Sequence, residues 1–152
     1  MILNAAPLTL REVSRENVQQ VVELSVRADQ EQYVSANGNS LAEAHYEPDA
    51  WFRALYADQE PVGLCVMFID PERDDYYIWR YMIDQRYQGK GYGQAGLKLI
   101  IDYICATYPQ AQAITLSHVP GNEVGAAVYR KLGFIYTGEI DQGELVMRLD
   151  LK

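Results

Sequence analysis

Apolar residues recur along the chain with two periods, and the points where one gives way to the other mark its elements. Leu8 and Leu10, with Val13 less cleanly in phase, alternate with polar neighbours and predict a strand over 8–13. Ser14-Arg15-Glu16-Asn17 offers capping side chains, and Val18, Val21, Val22 and Leu24 form a helical stripe running to about Ala28. A polar segment, Asp29 to Asn39, closes on the turn signal Asn37-Gly38-Asn39; Ser40 is then expected to cap a short helix through Leu41 and Ala44, stopped by Pro48. Trp51 to Ala57 and Pro61 to Ile69 predict strands paired about Asp58-Gln59-Glu60. The second is apolar on both faces from Val62 to Phe68 and therefore belongs inside a covered sheet. Asp70 to Asp75 reads as a solvated hairpin loop that returns the chain as the strand Tyr76 to Ile83. Leu97, Ile100, Ile101, Ile104 and Tyr108 recur at helical spacing before Pro109. Ala113 to Val119 is a strand with Ile114, Leu116 and His118 on one face. Asn122 caps a helix whose buried stripe is Val124, Val128 and Leu132, and Gly133 closes it in a left-handed conformation. Phe134 to Ile140 and Glu144 to Leu151 form a last hairpin. The order β-α-α-β-β-β-α-β-α-β-β predicts a mixed α/β (α+β) architecture, and 152 residues suit one domain over 1–152.

Composition narrows the partners. Thirteen basic against twenty-one acidic residues give a net charge of −8, which argues against a nucleic-acid partner and favours cationic ligands. No apolar run approaches the roughly 18 residues of a membrane helix, and the N-terminus lacks a basic segment followed by an apolar one, so a soluble cytoplasmic protein with no membrane partner is expected. Cys65 and Cys105 both lie in apolar runs outside any CxxC pair and are expected to be buried free thiols; no metal site is expected.

Candidate chemistry concentrates between two predicted elements. Arg86-Tyr87-Gln88-Gly89-Lys90-Gly91-Tyr92-Gly93-Gln94-Ala95-Gly96-Leu97 follows a strand and opens a helix. Glycines let backbone approach a ligand, and a helix's first amides are free donors at its positive end, so this loop is built to hold an anion such as a phosphorylated ligand, with Arg86, Lys90 and Lys98 as the surrounding cations. A Walker loop fails on spacing, since Lys90 is followed by Gly91. Gly91-x-Gly93-x-x-Gly96 matches a dinucleotide fingerprint, but a polar segment intervenes after the strand and no carboxylate lies near Leu116 to Val119. A plain surface turn rarely needs so many glycines beside two cations.

What remains, Gln88-x-x-Gly91-x-Gly93, resembles the pyrophosphate loop of the GNAT N-acetyltransferases. Asn122-Glu123-Val124-Gly125-Ala126-Ala127-Val128-Tyr129-Arg130-Lys131-Leu132-Gly133-Phe134 is similar to the second signature of that family, departing at Gly125, where alanine is usual. The resemblance implies a single, mostly antiparallel mixed sheet of six to seven strands flanked by about four helices. It also implies acetyl-CoA as cofactor, held by Gln88, Gly89, Lys90, Gly91, Tyr92, Gly93, Gln94, Asn122, Gly125, Tyr129 and Lys131. In the family the strands splay near Tyr81, Met82 and Ile83, freeing backbone N–H groups for the thioester oxygen. The Tyr129 hydroxyl would be the catalytic acid that protonates the leaving thiolate, and a homodimer is a family expectation. By the helical geometry alone, Tyr129 falls on the edge of the apolar stripe near Gly125, where small residues leave room for a ligand; without the motif it would be one more core-edge tyrosine.

Asp29-Gln30-Glu31-Gln32-Tyr33-Val34, Ser40-Leu41-Ala42-Glu43-Ala44 and Ile83 to Gly91 further resemble the bacterial spermine/spermidine N-acetyltransferases. This resemblance implies a polyamine substrate that Asp29, Glu31, Glu43, Glu47 and Asp49 are placed to pair with, with Tyr33 in the substrate site. Where related enzymes carry a basic carboxylate, this chain has Trp79. The base is then Glu31 or a water chain, and Trp79 is either a cation–π face for the amine or a core or dimer-interface aromatic. Another amine, or a binding module without turnover, is the alternative.

Overall fold

The structure, a computed structural model, describes residues 7–152; the first six residues of the expected domain lie outside it. Strands β1 (Leu8–Arg11), β2 (Ala50–Ala57), β3 (Glu60–Asp70), β4 (Asp75–Ile83), β5 (Ala113–His118), β6 (Ile135–Asp141) and β7 (Glu144–Asp150) form one sheet in the order β1-β2-β3-β4-β5-β7-β6. Helices are α1 (Val18–Glu23), α2 (Asn37–His45), α3 (Tyr92–Thr107) and α4 (Glu123–Lys131). Every neighbouring pair is antiparallel except β4 and β5, because α3 carries the chain across the sheet between them.

β3 explains its own composition. Cys65, Met67 and Ile69 join Leu97, Ile100, Ile104 and Phe134 in a core under α3 and α4, while Leu64 and Val66 face Val21, Leu24 and Ala44 under α1 and α2. Both faces are covered, so alternation in polarity is lost.

Four local expectations are corrected. α1 ends at Glu23, short of Ala28: the Ser25 amide donates to Asp84 Oδ1 (2.8 Å) and its carbonyl accepts from the Gln85 amide (2.8 Å), so its backbone is claimed across the fold. Asn37-Gly38-Asn39 is the first turn of α2, not a turn before it. The buried Asn37 side chain donates to the Val21 carbonyl at 2.9 Å and anchors the helix start, which leaves Ser40 inside the helix rather than capping it. α3 starts at Tyr92, five residues before Leu97, after Gly91 at φ 85°. Cys65 is buried and its thiol pushed up by desolvation, whereas Cys105 is exposed on the outer face of α3; both are free. Asn122 caps α4 by accepting from the Gly125 amide, and Gly133 is left-handed (φ 102°), as expected.

Candidate active site

β4 and β5 pair only at Tyr77↔Thr115 and Ile78↔Leu116. Beyond Ile78 they part, and Trp79 is an extra residue on β4 opposite the step between Val66 and Met67. A bulge re-aims a strand and strengthens its twist, so the sheet opens next to this residue. The backbone from Trp79 to Ile83 thereby loses its β5 partner, and two cavities meet at the opening. Tyr33, Tyr81, Asn122 and Tyr129 line both.

The larger cavity, about 420 Å³, lies between β4, the glycine loop and α4. Its walls include Tyr81, Met82 and Ile83 from β4, Gln88, Gly89, Gly91, Gly93 and Gln94 from the loop and first turn of α3, and Asn122, Gly125 and Lys131 from α4. Gly89 (φ 78°) and Gly91 (φ 85°) hold the left-handed conformations that turn the loop into the helix. The first helical bond of α3 is Ala95 N–H to the Gly91 carbonyl, so the preceding amides have no acceptor within the helix. Gln88 Nε2 donates to the Ile83 carbonyl and to Gln30 Oε1, both at 2.9 Å, while Gln88 Oε1 is buried without a partner. An orphaned acceptor beside the amide-rich start of a helix fits a ligand that brings both donors and anionic oxygens, as acetyl-CoA does.

Some predicted residues sit differently. Lys90 is exposed and does not line the cavity, and the Tyr92 side chain is buried in the core beside Tyr87, leaving its main chain at the helix start. Arg86 is drawn away to Asp84, its Nε 2.8 Å from Oδ2, and Lys98 pairs with Asp102, so the cations that line the cavity are Arg27 and Lys131. Burial would raise the Asp84 pKa, but donation by the Arg86 side chain and by the Ser25 and Arg86 amides outweighs it and holds the carboxyl below its usual range. Val124, expected in the core, is 59% exposed and lines this cavity; Ala126 is the buried residue of α4. The space beside Gly125 is taken by the capping Asn122, whose Nδ2 would be 2.8 Å from an added Cβ, which accounts for glycine in place of alanine.

The smaller cavity, about 250 Å³, is walled by residues 31–35, β4 from Ile78 to Tyr81, the end of β5, and Glu144. Glu31, Tyr33 and Trp79 all line it. Asp29, Glu43, Glu47 and Asp49 line neither cavity; Asp29 pairs with Arg27 and Glu43 with Arg80. Trp79 stacks on Phe68 at 4.6 Å, and the Arg80 guanidinium lies 5.0 Å from its ring centroid, so a cation already faces that ring.

Tyr129 stands where the cavities join, its ring beside His118 and Phe134. Burial, then the proximity of Cys65 and Tyr77, pushes its pKa up to about 12, so at neutral pH it is a protonated donor. Sequence reasoning missed Ser117, His118 and Glu144. Only His118 carried a signal, as a polar residue in phase with Ile114 and Leu116. Its Nδ1 is 3.0 Å from the Val119 carbonyl and must carry the proton, so Nε2 accepts from the Tyr136 hydroxyl at 2.9 Å.

Residues 16–134 match the acetyltransferase (GNAT) family. The spermine/spermidine N(1)-acetyltransferase of Bacillus subtilis (strain 168) is 30% identical over 155 residues, covering 95% of this chain and 99% of the relative. Among solved structures, the spermidine N-acetyltransferase of Vibrio cholerae, in complex with CoA and spermine, superposes with a TM-score of 0.74 at 18% identity, covering 95% of each chain. An acetyltransferase of Salmonella typhimurium that modifies the N-terminal serine of ribosomal protein L7/L12 superposes with a TM-score of 0.75 at 18% identity, covering 99% of each chain.

Proposed function

The chain belongs to the acetyltransferase (GNAT) family and is an acetyl-CoA-dependent N-acetyltransferase, and from that premise we propose that it acetylates a primary amine of a polyamine of the spermine and spermidine class. The observation that carries this substrate is the smaller cavity, where Glu31 and Glu144 line a space that ends at Tyr129. The Bacillus subtilis relative, 30% identical, bears the name of the same substrates, and the net charge of −8 raises the local concentration of a polycation.

Acetyl-CoA supplies a thioester that an amine attacks directly. The amides of Gly89 to Gln94, with the positive end of α3, hold its diphosphate, and Lys131 and Arg27 add charge at the cavity wall. Gln88 Oε1 accepts a hydrogen bond from the bound group. Asn122 and Gly125 form the α4 side of the cleft. Between Tyr81 and Ile83, the backbone N–H groups of β4 that face the space left by β5, every second one along the strand, would donate to the thioester oxygen as charge develops on it. The attacking amine must be neutral, so its proton passes to Glu31, directly or through water. Tyr129 gives its proton to the departing sulfur; a raised pKa keeps that proton in place until it is needed. Tyr33 and Trp79 shape the amine cavity.

Steady-state thiol release with spermine, spermidine, an aminoglycoside and a seryl peptide tests the substrate. The polyamines should have the highest kcat/KM. Turnover of the peptide or aminoglycoside with none of either polyamine would retire the polyamine and keep the enzyme class. A homodimer belongs to the same reading, with Ile135 and Ile140, 62% and 68% exposed on the edge strand β6, on the covered face. Light scattering that gives one chain per particle would remove it.

A further inference from the structure

Glu144 opens β7, distant in sequence from the rest of the site, yet it lines the smaller cavity with Glu31, His118 and Tyr129. Three adjacent strands fix it there. Ser117 Oγ on β5 is 2.9 Å from Glu144 Oε1, and the Tyr77 hydroxyl on β4 is 2.7 Å from Ser117 Oγ. An ionised carboxylate only accepts, so Ser117 donates to Glu144 and takes the Tyr77 proton in turn. Burial raises the Tyr77 pKa, which keeps that phenol a donor. The chain of bonds therefore runs one way and ends on a half-buried carboxylate whose orientation is set from behind, leaving its second oxygen for another donor.

No second carboxylate in the cavity is held this way. Glu31 is exposed on the segment that follows α1. The one arginine lining the cavity, Arg80, lies 3.7 Å from Glu43 and donates to the Trp79 carbonyl at 3.1 Å, so its charge is partly answered outside the cavity. A fixed anion in the cavity that Tyr129 lines, separate from the exposed Glu31 that takes the proton, is placed to meet a second cation.

We propose that Glu144, oriented by Ser117 and Tyr77, binds a second ammonium group of the acceptor and thereby selects diamines and polyamines over monoamines. The inference rests on the polyamine reading above. It makes Glu144 a specificity residue of the amine cavity, with Ser117 and Tyr77 as its positioning residues.

The test compares wild type, Glu144→Gln and Ser117→Ala with spermidine and n-butylamine at saturating acetyl-CoA. Gln keeps the oxygen that accepts from Ser117 and the shape of the side chain, so only charge is lost. For Glu144→Gln the spermidine KM should rise about ten- to a hundredfold, with kcat and the n-butylamine kcat/KM nearly unchanged. Ser117→Ala, which frees the carboxylate without removing it, should raise the same KM about two- to tenfold. An unchanged spermidine KM in Glu144→Gln overturns the assignment. So does a fall in kcat at constant KM, which would make Glu144 part of proton removal. Should Glu144→Gln not fold, an unchanged spermidine KM in Ser117→Ala overturns it equally. Wild-type enzyme that turns over no polyamine removes the substrate reading and this inference together; wild-type polyamine turnover with unaltered variants removes this inference alone.

Discussion

Replacing Gly96 by alanine should unsettle the cofactor cleft from behind. A Cβ at this position would lie 2.6 Å from the Tyr81 hydroxyl and 3.3 and 3.4 Å from two methyl carbons of Leu55. The phenol cannot easily yield, because its hydroxyl donates to the Gly93 carbonyl at 2.6 Å and its ring packs into the core between α3 and the sheet. Overpacking of this kind costs about 1–3 kcal/mol, and breaking the Tyr81 bond adds about 1 kcal/mol. The better helix propensity of alanine returns about 1 kcal/mol. A net loss of about 1–3 kcal/mol corresponds to a fall in Tm of about 2–12 °C for a chain of this size. Thermal melts followed by circular dichroism measure it. Tyr81→Phe removes the colliding oxygen, so the double variant should be more stable than the two separate losses predict, by about 1 kcal/mol or more. Acetyl-CoA affinity should weaken in the single glycine variant, since Gly93 belongs to the first turn that faces the cleft. Additive losses, or a Gly96→Ala variant as stable as wild type, would refute the close approach of α3 to Tyr81.

Tyr129→Phe should keep acetyl-CoA binding while turnover falls about ten- to a thousandfold; unchanged turnover removes the hydroxyl from the mechanism. Because the Tyr129 pKa is pushed up to about 12, loss of its proton should not limit the rate between pH 7 and about 10, and a pH–rate profile whose alkaline limb near 10 vanishes in the phenylalanine variant would contradict that. Asp84→Asn should cost about 1.5–3 kcal/mol at neutral pH. The folded pKa of Asp84 is lowered, so its contribution is present above the unfolded value and is lost as pH falls through the folded one. Urea melts of wild type and variant should therefore converge below about pH 4, and a difference that grows in acid would overturn the sign.

The parts of the site that could be read from sequence are those whose geometry is local. Gln88 to Gln94 encode their own turn through Gly89 and Gly91, and Asn122 caps the helix that carries Tyr129, so a contiguous motif sufficed for each. The amine cavity is different. Tyr77, Ser117 and Glu144 meet only because β4, β5 and β7 are neighbours in the sheet, and no local spacing relates them. Arg86 and Lys98 are drawn from the loop by carboxylates close in sequence, Asp84 two residues before Arg86 and Asp102 one helical turn after Lys98, local pairs that compete with an anion for each cation. The start of α2 depended on the Asn37 side chain reaching α1, and the exposure of Val124 on the cleft that α4 forms with β4 and the glycine loop. Both are tertiary facts that override local propensity and periodicity.

In the proposed reaction a thioester lies in the larger cavity and an amine in the smaller, with Tyr129 between them. A crystal structure with CoA and spermidine bound measures this directly. The diphosphate should lie on the amides of Gly89 to Gln94, the sulfur within hydrogen-bond reach of the Tyr129 hydroxyl, and a primary nitrogen of spermidine on the far side in the cavity of Glu31 and Glu144. A CoA whose diphosphate lies away from that loop, or whose sulfur lies remote from Tyr129, would contradict it.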